Sequence, residues 1–109
     1  MTTVKSEFIA NGQLPAAATV LWTAPLYGIW RVTLITLHNT TGGAITPTIG
    51  VAKRDGATRV ISSAALAANT TRWMEPPRPG IVLEGGDTLI GFDATATSID
   101  YCVFGEVEV

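Results

Sequence analysis

Punctuation governs this chain: short runs rich in Val, Ile, Thr, Leu and aromatic residues are each closed by a cluster of Gly, Pro, Asn or Asp, roughly a dozen residues apart. No segment sustains the 3.6-residue apolar repeat of an amphipathic helix. Such a chain buries its apolar side chains only by pairing strands, so the pattern predicts an all-β fold. Strands are expected at 7–10, 19–23, 29–38, 47–53, 58–62, 70–75, 81–83, 88–94 and 98–107. With 109 residues there is material for one core. Eight or nine short strands favour a single-domain antiparallel β-sandwich, jelly-roll-like, over a barrel. The polar stretch 1–7 is expected to stand off as an N-terminal arm reaching a neighbour or a shell, leaving 8–109 as the sandwich.

Face patterns refine this picture. Along the last run Ile99, Tyr101, Val103 and Val107 point one way and Asp100, Cys102, Phe104, Glu106 and Glu108 the other. In the third run Trp30, Val32 and Leu34 alternate, yet Ile35 and Leu37 fall on the opposite face, so this strand is either central or bulged near Ile35. Asp55-Gly56 reads as a two-residue type I′ hairpin, with both residues at positive φ. The alanine-rich segment 62–68 is too short for a stable helix and is read as a crossing or a single turn. Pro76, Pro77 and Pro79 place their stretch on a sheet edge or in a connection.

Charged residues are only 15% of the chain, against roughly 25% in ordinary soluble domains. Ala, Gly and Thr together supply 41 residues. A surface so short of charge keeps copies of itself apart poorly, which predicts that part of it is covered by other subunits. The net charge of −2, with seven dispersed Lys and Arg, counts against nucleic acid as a partner. No apolar run approaches the 18 or so residues of a spanning helix, and the stretch 14–22 is interrupted by Pro15 and Thr19, so no membrane partner is expected. Asn39-Thr40-Thr41 and Asn69-Thr70-Thr71 match the glycosylation pattern but read as turns.

The parts for catalysis are few. Cys102 cannot form an intramolecular disulfide, and with His38 alone it cannot build a structural zinc site. A Cys102–His38 thiol-imidazole pair is conceivable, but a buried thiol and a loop-side imidazole explain both residues. Glu106 and Glu108, two apart on one strand face, are roughly 7 Å from each other, within the range of glycosidase carboxylates; a charged strand edge accounts for them equally. Asp87 and Asp93 as calcium ligands lack an oxygen-rich loop, and Gly85-Gly86-Asp87 leads into a strand, with no helix N-terminus for a phosphate. No cofactor, no metal and no enzymatic activity are therefore expected. Trp22, Tyr27, Trp30 and Trp73, with Tyr101, are the candidate partner-binding aromatics, either stacking on a glycan or anchoring subunit contacts. Trp22 and Trp30 flank the 25–28 turn and are expected to meet across a hairpin.

Three motifs carry a resemblance: Thr23-Ala24-Pro25, Asn39-Thr40-Thr41-Gly42 closing a long strand, and Leu83-Glu84-Gly85-Gly86-Asp87-Thr88-Leu89 entering the penultimate strand. With the mid-chain hairpin they span 19–107, and the chain resembles small tailed-phage virion proteins; domains of fibre and baseplate proteins carry similar patterns. In physical terms each motif is a sandwich corner, with Asn39 tolerating a left-handed position and Gly85-Gly86 allowing positive φ. The resemblance implies a non-enzymatic virion structural protein, a capsid decoration or cement protein assembling as a homo-oligomer, a trimer, on phage capsid or tail proteins. The alternative it implies is a host-recognition module binding a surface glycan.

Overall fold

The computed structural model describes residues 4–77, 80–95 and 97–108. Among them nine strands form: β1 (Val4–Gln13), β2 (Thr19–Thr23), β3 (Ile29–Asn39), β4 (Thr48–Ala52), β5 (Thr58–Ser62), β6 (Thr71–Met74), β7 (Ile81–Leu83), β8 (Thr88–Phe92) and β9 (Ile99–Glu108). One sheet runs β1-β9-β3-β6, with β7 also on β3; the other runs β2-β8-β4-β5, and every pair is antiparallel. Early and late strands alternate within each sheet, so connections cross between sheets. This is a jelly-roll sandwich. β6 and β7 are successive pieces along one side of β3, parted by a turn at Pro76-Pro77, where Gly80 N–H donates to Pro77 O at 2.7 Å. Prolines cannot donate to a ladder, and the strand breaks there.

The stretch expected as an arm reaching a neighbour or a shell is strand from Val4 onward. Val4, Lys5, Ser6 and Glu7 stand opposite Glu108, Val107, Glu106 and Gly105 of β9, because that flank of β9 offers N–H and C=O groups that pairing satisfies. Residues 1–3, the rest of the expected arm, lie outside the described residues. The segment 62–68 makes a crossing, with Leu66 buried and exchanging backbone hydrogen bonds with Ile45 at 2.7 and 3.0 Å.

β3 is both central and bulged. The register with β9 slips between Val32 and Leu34. One extra residue reverses side-chain parity, so Trp30, Val32, Ile35, Leu37 and Asn39 all face the core although their numbering changes from even to odd. β9 needs no such device, and Ile99, Tyr101, Val103 and Val107 are buried in strict alternation. Leu14, Ile49, Leu83 and Leu89 complete the layer between the sheets.

Two turns differ from expectation. In the β4–β5 hairpin only Gly56 has positive φ; Gly56 N–H donates to Lys53 O and Lys53 N–H to Ala57 O. The loop is thus a turn over 53–56 closed by a left-handed glycine, not type I′, and Asp55 Oδ1 instead accepts from Ala57 N–H at 3.0 Å. Asn39 likewise is not at positive φ. It is fully buried: Nδ2 donates to Gly43 O at 2.8 Å and Leu66 O at 3.0 Å, and Oδ1 accepts from Thr41 N–H and Oγ1. One amide thus ties the end of β3 to the next loop and to the 62–68 crossing. Asn69, at φ 52°, is the asparagine that takes the left-handed turn. Replacing Asn39 by alanine leaves Thr41 N–H without its acceptor and takes one of two donors from each of Gly43 O and Leu66 O, and is expected to cost about 2 kcal/mol, read as a lowered urea midpoint at unchanged slope.

Candidate functional site

The shortage of charge is localised. On the outer face of the β2-β8-β4-β5 sheet the cross-strand rows read Thr23–Thr88–Ala52–Thr58 and Val20–Ile90–Gly50–Val60. No member carries a charge, and Val20 and Val60 are exposed. The inner face of the same strands holds Ile49, Val51 and Leu89 in the core, and the one charged residue of these four strands, Arg59, stands opposite Val51 in an inner row. Gly50 leaves the row without a side chain: a Cβ there would stand 2.7 Å from Arg59 O. The outer face of the other sheet is mixed, with rows Ser6–Glu106–Arg31–Val82, Phe8–Phe104–Leu34, Asn11–Cys102–Thr36–Trp73 and Gln13–Asp100–His38–Thr71.

Three of the four predicted aromatics come together at one end of the sandwich. Trp22 and Trp30 meet with ring centroids 5.2 Å apart at 68°, and Tyr27 and Trp30 at 6.2 Å and 63°. Trp22 and Trp30 belong to different sheets, so they meet across the sandwich, not along a hairpin ladder. Trp30 is buried and its Nε1–H donates to Tyr27 O at 3.2 Å. Tyr27 itself is 62% exposed, beside the still more exposed Leu26. The rings stand edge to face, an arrangement that suits their quadrupoles but makes no flat platform. Trp73, 65% exposed, lies apart from them on β6. Tyr101 is in the core, where burial raises its pKa.

Glu106 and Glu108 do share a face of β9, but β9 lies between β1 and β3 and is no edge, so edge protection does not explain them. Arg31 stands opposite Glu106, and its guanidinium reaches Glu108 at 2.5 Å. With Val4, Thr33, Glu75, Pro76 and Gly80 these residues line an open cleft of about 810 Å³. His38 Nδ1 is engaged with Thr71 Oγ1 at 2.7 Å, on the β6 side of β3 and away from β9, which carries Cys102.

Asp87 and Asp93 sit at opposite ends of β8 and act separately. Asp87 is almost fully buried and accepts from Lys53 Nζ at 2.7 Å, Arg54 N–H at 2.8 Å and Glu84 N–H at 3.0 Å. Burial pushes its pKa up, but the Lys53 hydrogen bond, the two backbone donors and the Lys53 charge together outweigh burial and hold the carboxyl at about 2. It clamps the β4–β5 hairpin to the 84–87 turn. Asp93 is also buried; Oδ1 accepts from Thr95 N–H at 2.8 Å, while Oδ2 has no hydrogen-bond partner among the described residues. Burial raises its pKa against the pull of that one donor. Among the described residues no group of three or more His, Cys, Asp or Glu is placed to hold a metal ion. The sequence offered no sign of the Asn39 clamp or of the neutral sheet face, beyond the low overall charge.

No protein-family model and no curated protein matches this chain in sequence. Solved structures do overlay. A chain of Bacillus endospore appendages, described as disulfide-linked pili, matches with a TM-score of 0.55 at 12% identity, over 99% of this chain and 88% of that one. A chain of the infectious bursal disease virus Gx strain matches with a TM-score of 0.50 at 14% identity, over 99% of this chain and 32% of that one. This chain therefore spans about a third of the virus chain's length. A pentameric capsid protein isolated from metagenomic phage sequences gives a TM-score of 0.45 at 14% identity, over 90% of this chain and 61% of that one, and adds no weight. What the first two share with this chain is the β-sandwich fold.

Proposed function

We propose that this protein is a non-enzymatic structural subunit of a virus particle, a phage decoration or cement protein that works by surface complementarity. The observation that carries the reading is the neutral outer face of the β2-β8-β4-β5 sheet, where two adjacent four-residue rows hold no charge. Such a face is a poor solvent boundary and a good dry contact. The sequence resemblance to tailed-phage virion proteins points the same way. So does the fold shared with a pilus-forming appendage and a virus chain, both of them assemblies. In this reading the chain acts as a homo-oligomer, a trimer by the resemblance, with the neutral face against the shell. Tyr27 and Trp73, the two exposed members of the aromatic set, are further contact residues.

Mass spectrometry of purified particles from the phage that encodes the chain is expected to detect it. Recombinant protein is expected to co-sediment with shells stripped of it, whereas the Val20→Glu/Val60→Glu double variant stays at the top of the gradient while remaining folded. Particles lacking the chain, or a double variant that binds as well as the parent, would overturn the proposal.

A further inference from the structure

The strand edges of this sandwich are unequal. β2 and β5 are five residues long, and the far side of β3 is divided into β6 and β7. β1 has ten residues, and among the described residues it pairs only with β9, so its other side presents an open row of backbone donors and acceptors. The register of β1 slips between Phe8 and Ala10. A bulge bends and twists a strand, which leaves Val4 to Phe8 as the regular part of this edge, with Ser6 at its centre.

We infer that this edge pairs antiparallel with the same edge of a second copy, about a two-fold axis at Ser6. In that register Lys5 of one copy stands opposite Glu7 of the other, and Glu7 opposite Lys5. Val4 stands opposite Phe8 in the same way. Lys5 and Glu7 lie on one face of the strand, while Val4, Ser6 and Phe8 lie on the other. The segment is thus its own complement, two opposite-charge pairs on one face and two apolar pairs on the other. Val4 and Phe8 are 54% and 55% exposed, although Phe8 already packs edge-on to Phe104 at 5.4 Å. Pairing would extend the apolar row Leu34–Phe104–Phe8 onto Val4 of the second copy. A lone lysine on an edge strand repels incoming strands; here the glutamate two residues on converts it into a register signal. The inference deepens the homo-oligomer part of the reading above and does not depend on attachment to a particle. The contact joins two copies whatever ring other surfaces close.

Charge reversal tests it. Light scattering and sedimentation are expected to give the parent a mass twice that of Lys5→Glu or of Glu7→Lys, with each single variant dissociating at about tenfold or more higher concentration, since attraction becomes repulsion at both symmetric pairs. The Lys5→Glu/Glu7→Lys double variant is expected to regain the parent mass. An equimolar mixture of the two single variants is expected to form a mixed pair, because one variant is acidic at both positions 5 and 7 and the other is basic at both, so opposite charges face each other at each pair; a variant that had merely misfolded would not be rescued by mixing. A parent with no two-copy step, single variants indistinguishable from it, or a mixture that fails to associate would each overturn the inference. Particle attachment by a protein that never pairs would overturn this inference alone.

Discussion

Gly105→Ala is expected to destabilise the protein by about 4 kcal/mol or more, enough to leave little folded protein. Gly105 is buried on β9, opposite Glu7 of β1 and Val32 of β3. The slip between Val32 and Leu34 carries the β3 backbone over it, and a Cβ at 105 would lie 2.1 Å from Arg31 O and 2.8 Å from Ile9 Cδ1. The first of these neighbours is backbone and cannot rotate away. Relief requires β3 and β9 to part, which breaks the longest ladder in the molecule. The cost is steric, since Gly105 is not at positive φ. Gly43→Ala is the matching control: a Cβ there meets nothing within 4 Å, and φ is ordinary, so a change within about 0.5 kcal/mol is expected. Urea unfolding of the two variants side by side checks the pair. Equal midpoints would mean that the bulge does not bring the two backbones together.

Asp87→Ala is expected to cost about 3 kcal/mol at neutral pH, because it leaves the N–H groups of Arg54 and Glu84 without their acceptor and removes a hydrogen-bonded ion pair. Lys53 is itself partly exposed and re-solvates, which keeps the loss below that of a fully buried pair. The pH dependence follows from the depressed pKa. The folded carboxyl titrates at about 2, against 3.8 for the ordinary group, so the unfolded chain takes up the proton first. The resulting stabilisation, roughly 2 kcal/mol, is complete above about pH 4 and fades as pH falls through about 2. The parent is therefore expected to lose stability over that interval more steeply than Asp87→Ala, and the two unfolding midpoints converge in acid. Parallel curves from pH 5 to pH 2 would show that another carboxylate carries the acid sensitivity.

Asp87 and Asn39 show where reading the chain succeeds and where it stops. Both are legible as corner residues, because short polar side chains beside glycine satisfy backbone groups at reversals. That Asp87 is buried beneath Lys53, and that Asn39 ties the end of β3 to two other segments, depends on parts of the chain 34 residues away in one case and 27 in the other. The aromatic set was visible as a list, but its division into a buried Trp30, an exposed Tyr27 and a distant Trp73 was not. Low charge was visible as a deficit; its concentration on one sheet face needed the register of β2, β8, β4 and β5.

Local chemistry determined the rest. Alternation and β-branched residues settled that the chain is all-β and where most strands lie, with β2, β5 and β7 falling at the expected residues. Turn residues settled where it reverses, since conformational preference at a corner is a property of a few adjacent residues. Tertiary structure alone decided that β9 lies between β1 and β3, that β1 extends back to Val4, and that β3 changes parity at Thr33. Those choices belong to pairings between distant residues, whose free energy is collective: a bulged strand and a strand buried on both faces write the same letters, and only the neighbour across the ladder distinguishes them.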